Sequence, residues 1–154
     1  MTTLDTSAGV VIRKRVYLDD LDGFGMLHHA GYAVLFDHAV LDYWTDAGWV
    51  TDPTVSVQVI RALELTYHLP VVGVQDVDVH LWVDRAGRSS VTYRFEVLSA
   101  DHTVRHAEGS RVLVNLHPQT LRPTPLTEEM WQIATPLLAP GVERPLAPAH
   151  SLVE

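Results

Sequence analysis

The 154-residue chain contains no cysteine, which removes disulfides, thiol nucleophiles and thiolate metal sites together. Positive charge is also scarce: 11 Lys and Arg stand against 19 Asp and Glu, a formal net charge of −8. Nucleic-acid binders carry a basic footprint, so a phosphate backbone is not the expected partner. A small anion held by a few local arginines stays possible. No apolar run is long enough to span a bilayer, and the amino-terminal residues lack the charged-then-apolar pattern of a secretion signal, so a soluble, cytoplasmic protein without membrane insertion is expected. There is no Gly-x-Ser-x-Gly elbow and no His-Glu-x-x-His or similar spacing among the nine histidines. Neither a serine hydrolase nor a metal centre is therefore expected.

What the chain does hold is concentrated in Asp20-Leu-Asp-Gly-Phe-Gly-Met-Leu-His-His-Ala-Gly-Tyr32. This glycine-punctuated loop puts carboxylates, two imidazoles and a helix start within a few residues. The helix that follows repeats Tyr32, Leu35, Phe36, Ala39, Tyr43 and Ala47 at three- and four-residue steps, with Asp37, His38, Asp42 and Asp46 mostly opposite. Gly48 marks its end. No Ser, Thr, Asp or Asn near residues 28 to 31 is placed to cap its first amides, which leaves them to water or to a negatively polarised oxygen.

Around this helix the chain reads as strands. Residues 1 to 9 are expected to fray, residues 10 to 137 to form one domain, and the Pro- and Ala-rich residues 138 to 154 to be irregular. A strand is expected over Val10 to Leu18, and a longer one over Val55 to Tyr67, interrupted at Arg61 by a bulge or bend. Val77, Val79, Leu81 and Val83 alternate with Asp78, His80 and Trp82, the pattern of a half-buried strand. After a turn at Arg85-Ala-Gly-Arg88, strands at Val91 to Val97 and Val104 to Leu116 complete a meander, and Thr127 caps a short helix running to Leu137. Phe36, Val40, Leu41, Tyr43 and Trp44 widen the apolar face of the long helix, so the sheet should curl around it in an α+β domain.

The pattern Asp20-x-Asp22-x-x-Gly25-x-x-x-His29-x-x-Tyr32 resembles the hotdog-fold acyl-CoA thioesterases of the 4-hydroxybenzoyl-CoA thioesterase family, especially the Tol-Pal-associated branch. Tyr67, Pro70, Gly87-Arg-Ser-Ser90-Val-Thr-Tyr93, Val112-Leu-Val-Asn-Leu and Arg122-Pro-Thr-Pro125-Leu extend the resemblance over about residues 10 to 130. It implies a curled antiparallel sheet around a long central helix and hydrolysis of a small or medium acyl-CoA. It implies Asp22 as nucleophile or general base, the His29 backbone amide as the group polarising the thioester carbonyl, with its side chain assisting, and Gly25 and Tyr32 beside the substrate. It also implies that Arg88, Ser89 and Ser90, from a neighbouring subunit, meet the CoA phosphates. The only cofactor implied is the coenzyme A of the substrate itself, and the implied assembly is a homodimer or homotetramer. Leu21, Phe24 and His28 depart from the residues common at those places in the family, which bears on the acyl group rather than on the reaction class.

Each of these residues has a plainer reading beside the functional one. Asp22 can bond its own backbone as a turn former, Asp20 can brace the loop, His28 can face solvent, Tyr32 can be core, and Glu64 and Arg88 can be surface charges. Two other functions stay open on the same fold: a non-catalytic acyl-thioester-binding module, and a hydroxyacyl-thioester dehydratase.

Overall fold

The structure, a computed structural model, describes residues 2–146. Its elements are β1 (Val10–Val16), α1 (Gly31–Asp46), β2 (Val57–Tyr67), β3 (Gln75–Ala86), β4 (Ser90–Ser99), β5 (Arg105–Leu116) and α2 (Glu128–Ala134). The five strands make one antiparallel sheet in the order β1-β3-β4-β5-β2. The expected meander is its centre, and β1 and β2 are its edges. α1 lies on one face: the ring of Phe36 stacks on Phe95 of β4 with centroids 4.1 Å apart and meets Tyr93 edge-on at 5.8 Å. This is the α+β hotdog arrangement, a curled sheet around a long helix.

The helix buries Tyr32, Leu35, Phe36, Ala39 and Val40, the residues a 3.6-residue repeat brings to one side. Leu41 is not among them. It is 57% exposed, because within one chain the sheet wraps α1 from one side only. Gly48, at φ +97°, takes the left-handed position just beyond the helix. The interruption at Arg61 is a register shift between Ile60 and Ala62 on β2, and the Thr127 hydroxyl accepts from the Met130 amide at 3.2 Å to start α2.

The alternation on β3 holds for its helix-facing side, where Val77, Val79, Leu81 and Val83 are wholly buried. The opposite side departs from expectation: Asp78 and His80 are buried as well. Residues 2–9, expected to fray, are instead held against this side. The Leu4 amide donates to the His102 carbonyl at 2.8 Å, and a His80 ring nitrogen meets the Ala8 carbonyl at 2.6 Å. Asp78 receives Arg13 at 2.9 Å and His102 at 2.7 Å, while Glu96 receives Arg105 at 2.7 Å and His80 at 2.9 Å. Burial alone would raise the Asp78 carboxyl, yet hydrogen bonds from Arg13 and His102 outweigh it and hold the group below its ordinary range. Of the expected irregular tail, residues 138–146 dock on the domain through Ala139 to Val83 and Arg144 to Glu128; residues 147–154 lie outside the described residues. Among the described residues no helix is long and apolar enough to cross a membrane.

Candidate active site

The loop before α1 is a miniature hairpin. The Asp22 amide donates to the Met26 carbonyl at 2.7 Å, Leu21 bridges to Leu27, and the His28 amide donates to the Asp20 carbonyl at 3.1 Å. Gly25 makes the turn possible. Its φ of +76° is one that a side chain strongly disfavours, its amide donates to the Asp22 carbonyl at 3.0 Å, and its carbonyl accepts from Gly73 at 2.9 Å. Within this turn Asp22 Oδ1 accepts from the Phe24 amide at 2.8 Å and the Met26 amide at 3.1 Å. The turn-forming reading is thus realised, but with one oxygen only; Oδ2 has no hydrogen-bond partner among the described residues. Asp20 braces the loop, accepting from the Tyr17 amide at 2.8 Å.

The start of α1 is uncapped by any side chain at its N-cap, Ala30. Two residues back, however, His28 does part of that work: its Nδ1 accepts from the Ala30 amide at 3.2 Å. Sequence reasoning missed this, because histidine is not among the usual capping residues. The His29 amide donates to no carbonyl among the described residues, and the His29 ring is exposed, tilted against His28 at 4.1 Å. The His29 carbonyl accepts from the Tyr67 hydroxyl at 2.8 Å. Tyr32 lies in the core, only 3% exposed, its hydroxyl accepting from the Val71 amide at 3.2 Å. Burial pushes the Tyr32 hydroxyl up, and the charge of Asp22 adds to the effect. Tyr32 meets Tyr67, the last residue of edge strand β2, edge-on with ring centroids 5.2 Å apart.

Beside the helix start is an open cleft of about 670 Å³ lined by Lys14, Tyr17, Asp20, His28, Ala30 and Gly31 among others. Neither Asp22 nor His29 lines it. Among the described residues no three His, Asp or Glu side chains are grouped so as to hold a metal ion.

Arg88, Ser89 and Ser90 form the β3–β4 turn, closed by the Gly87 amide on the Ser90 carbonyl at 2.8 Å, with the Leu126 amide on the Arg88 carbonyl at 2.9 Å. The Arg88 side chain is exposed and makes no ion pair among the described residues. β3 starts beside the Asp22 loop and ends at this turn, and the eleven steps between its 12 residues span about 36 Å at 3.3 Å each. The structure places Asp22 and Gly25 in the hairpin before α1 and His29 and Tyr32 at the helix start, and leaves Arg88, Ser89 and Ser90 at the far end of β3.

The sequence profile of the thioesterase superfamily matches residues 24–105. The chain belongs to this superfamily. The matched span takes in Gly25, His29, Tyr32 and the Arg88 turn, and it begins two residues after Asp22. No curated protein sequence matches the chain. Solved structures match the superfamily fold over most of its length. A protein from Pseudomonas aeruginosa strain PAO1 is 23% identical with a TM-score of 0.76, covering 85% of this chain and 92% of its own. A 1,4-dihydroxy-2-naphthoyl-CoA thioesterase from Synechocystis is 14% identical with a TM-score of 0.76, covering 81% and 94%. A DHNA-CoA thioesterase from Staphylococcus aureus is 22% identical with a TM-score of 0.72, covering 81% and 87%. At these identities the likeness is one of fold.

Proposed function

We propose that this protein is an acyl-CoA thioesterase that hydrolyses a small or medium acyl-CoA to the free acid and coenzyme A, with Asp22 at the reacting carbon. The observation that carries this reading is the division of labour on Asp22: Oδ1 is tied to the Phe24 and Met26 amides, while Oδ2 has no hydrogen-bond partner among the described residues, in the loop that leads into α1. A carboxylate so fixed has one oxygen available to attack the thioester carbonyl or to take a proton from an attacking water. In the first case an acyl–Asp22 anhydride forms as the CoA thiolate leaves and takes a proton, and water then cleaves the anhydride. In the second, water adds directly. In both, the oxyanion faces the His29 amide, which donates to no carbonyl among the described residues; losing such a donor typically costs about 2.7–4 kcal/mol of transition-state stabilisation.

The working unit is a homodimer or homotetramer, and the cell compartment the cytoplasm. β2 leaves one edge unpaired and exposes Val59, Ile60, Leu63 and Tyr67, a template for pairing with a second strand. Two β2 strands joined antiparallel about a two-fold axis would set the Asp22 end of one chain beside the Arg88 end of its partner. That supports Arg88, Ser89 and Ser90 as the CoA-phosphate contacts despite their distance from Asp22 within one chain. The assay that tests the function is release of free CoA thiol across a panel of aliphatic and aromatic acyl-CoAs, with product identification. Free acid as product supports hydrolysis; binding without release would make the protein a carrier or sensor of acyl-CoA, and enoyl product would make it a dehydratase.

A further inference from the structure

Resting on the thioesterase reading, we propose that a second cavity, formed by the later half of α1 with β2, β4, β5 and α2, seats the acyl group and selects one that carries a neutral acceptor oxygen. The cavity holds about 200 Å³ and is walled mainly by apolar side chains, among them Val40, Trp44, Ile60 and Leu113. An apolar cavity of about 150 Å³ accommodates benzene, so this one admits a ring with a small substituent or a short branched chain.

Asp37, Thr51, Gln58, Tyr93 and Arg111 break the apolar wall, and two of them, Arg111 and Tyr93, are buried donors that hold a proton without an acceptor among the described residues. Arg111 is 6% exposed; its guanidinium carbon lies 4.4 Å from the Phe36 ring centroid, Nη1 bonds the Asp37 carboxylate, and the buried Nε has no acceptor among the described residues. Tyr93, its cross-strand neighbour, is 1% exposed and accepts from Trp44 Nε1 at 3.0 Å. Burial pushes the Tyr93 hydroxyl up to about 12, so it keeps its proton, and that proton too has no acceptor among the described residues. Donors left unpaired in an apolar wall favour whatever ligand supplies an acceptor. Asp37 already balances the guanidinium charge, so a second carboxylate would meet repulsion; a carbonyl or ether oxygen does not.

The cavity lies along α1 at Asp37 to Trp44, about 9–20 Å from the helix start at 1.5 Å per residue. Neither Asp22 nor His29 of the same chain lines it. With β2 strands paired about a two-fold axis, its rim at Ile60 adjoins the Asp22 loop of the second copy, so each cavity serves the other chain's carboxylate.

The test compares 4-acetylbenzoyl-CoA with 4-isopropylbenzoyl-CoA, near-isosteres that differ by a carbonyl oxygen in place of a methyl group. kcat/KM is measured for the wild type, Tyr93→Phe and Arg111→Lys, together with calorimetric binding of the two free acids and thermal unfolding of each variant. The wild type should favour the acetyl compound by about tenfold in both readouts, and each folded variant should lose most of that preference. If Arg111→Lys does not fold, Tyr93→Phe decides. Equal handling of the two compounds by the wild type, or an undiminished preference in Tyr93→Phe, overturns the pocket assignment while leaving hydrolysis standing. Preferential binding of the acetyl acid with no hydrolysis of either thioester supports the pocket and removes the thioesterase reading.

Discussion

The Tyr67 hydroxyl donates to the His29 carbonyl across 2.8 Å, joining the last residue of β2 to the turn that starts α1. An edge strand exposed along much of its length is in this way coupled to the residue whose amide is assigned to the oxyanion. Tyr67→Phe removes one partly exposed hydrogen bond, whose net worth is about 0.5–1.5 kcal/mol. Thermal stability should fall only slightly, while kcat for a good acyl-CoA substrate should drop by about tenfold as the helix start loses its registration. Unchanged kcat would mean that the tie is not needed to position the amide.

Gly25 and Gly23 lie two residues apart in the same loop but should respond differently to a methyl group. Neither Cβ would meet an atom within 4 Å, so space does not separate them; backbone conformation does, because Gly25 has φ +76° and Gly23 is not in the left-handed region. Gly25→Ala should cost about 1–2 kcal/mol and disturb the turn that holds Asp22, lowering kcat. Gly23→Ala should be nearly silent. Paired thermal melts and kcat values check both.

The features legible in the sequence are those with a local signature. The end of α1 at Gly48, the break in β2 at Arg61 and the Thr127 cap each follow from one residue type in its own few positions, and each stands where expected. The features that were not legible depend on partners distant in the chain. Asp78 and His80 read as a solvated side of β3, since nothing nearby announces that Arg13, His102 and the Ala8 carbonyl will meet them. Leu41 reads as core and is exposed, because periodicity reports which residues share a face but not how far the sheet wraps around it. His28 was missed as a partner of the Ala30 amide for a different reason: imidazole acceptors at helix starts have no compositional signal.

The cluster at Asp78 sets an acid limit on stability. Its carboxyl is held below the ordinary value of about 3.9, so the folded state binds this proton less readily than the unfolded chain. Its contribution is therefore fully present above about pH 4 and is lost as pH falls through the lower, folded value. The melting temperature should decline in that acid range, and Asp78→Asn should flatten this part of the profile while lowering stability at neutral pH. A profile in which Asp78→Asn matches the wild type at every pH would remove the cluster from the explanation.

The free edge of β2 gives an assembly prediction. Leu63, 44% exposed on that strand, lies where a second β2 would pack, and a charge there opposes edge pairing. Leu63→Lys should shift sedimentation from dimer or tetramer toward monomer and reduce hydrolysis in proportion, since Asp22 and Arg88 would no longer meet across two chains. A fully active monomer would rule out the shared site.

Most directly, Asp22→Asn separates the two jobs of this side chain. Asparagine keeps an acceptor oxygen for the Phe24 and Met26 amides, so the loop and the melting temperature should be nearly unchanged, while the nucleophile or base is gone. Release of CoA from the best acyl-CoA of the panel should fall by about a hundredfold or more. A folded Asp22→Asn variant that turns over several acyl-CoAs at the wild-type rate would contradict the central claim.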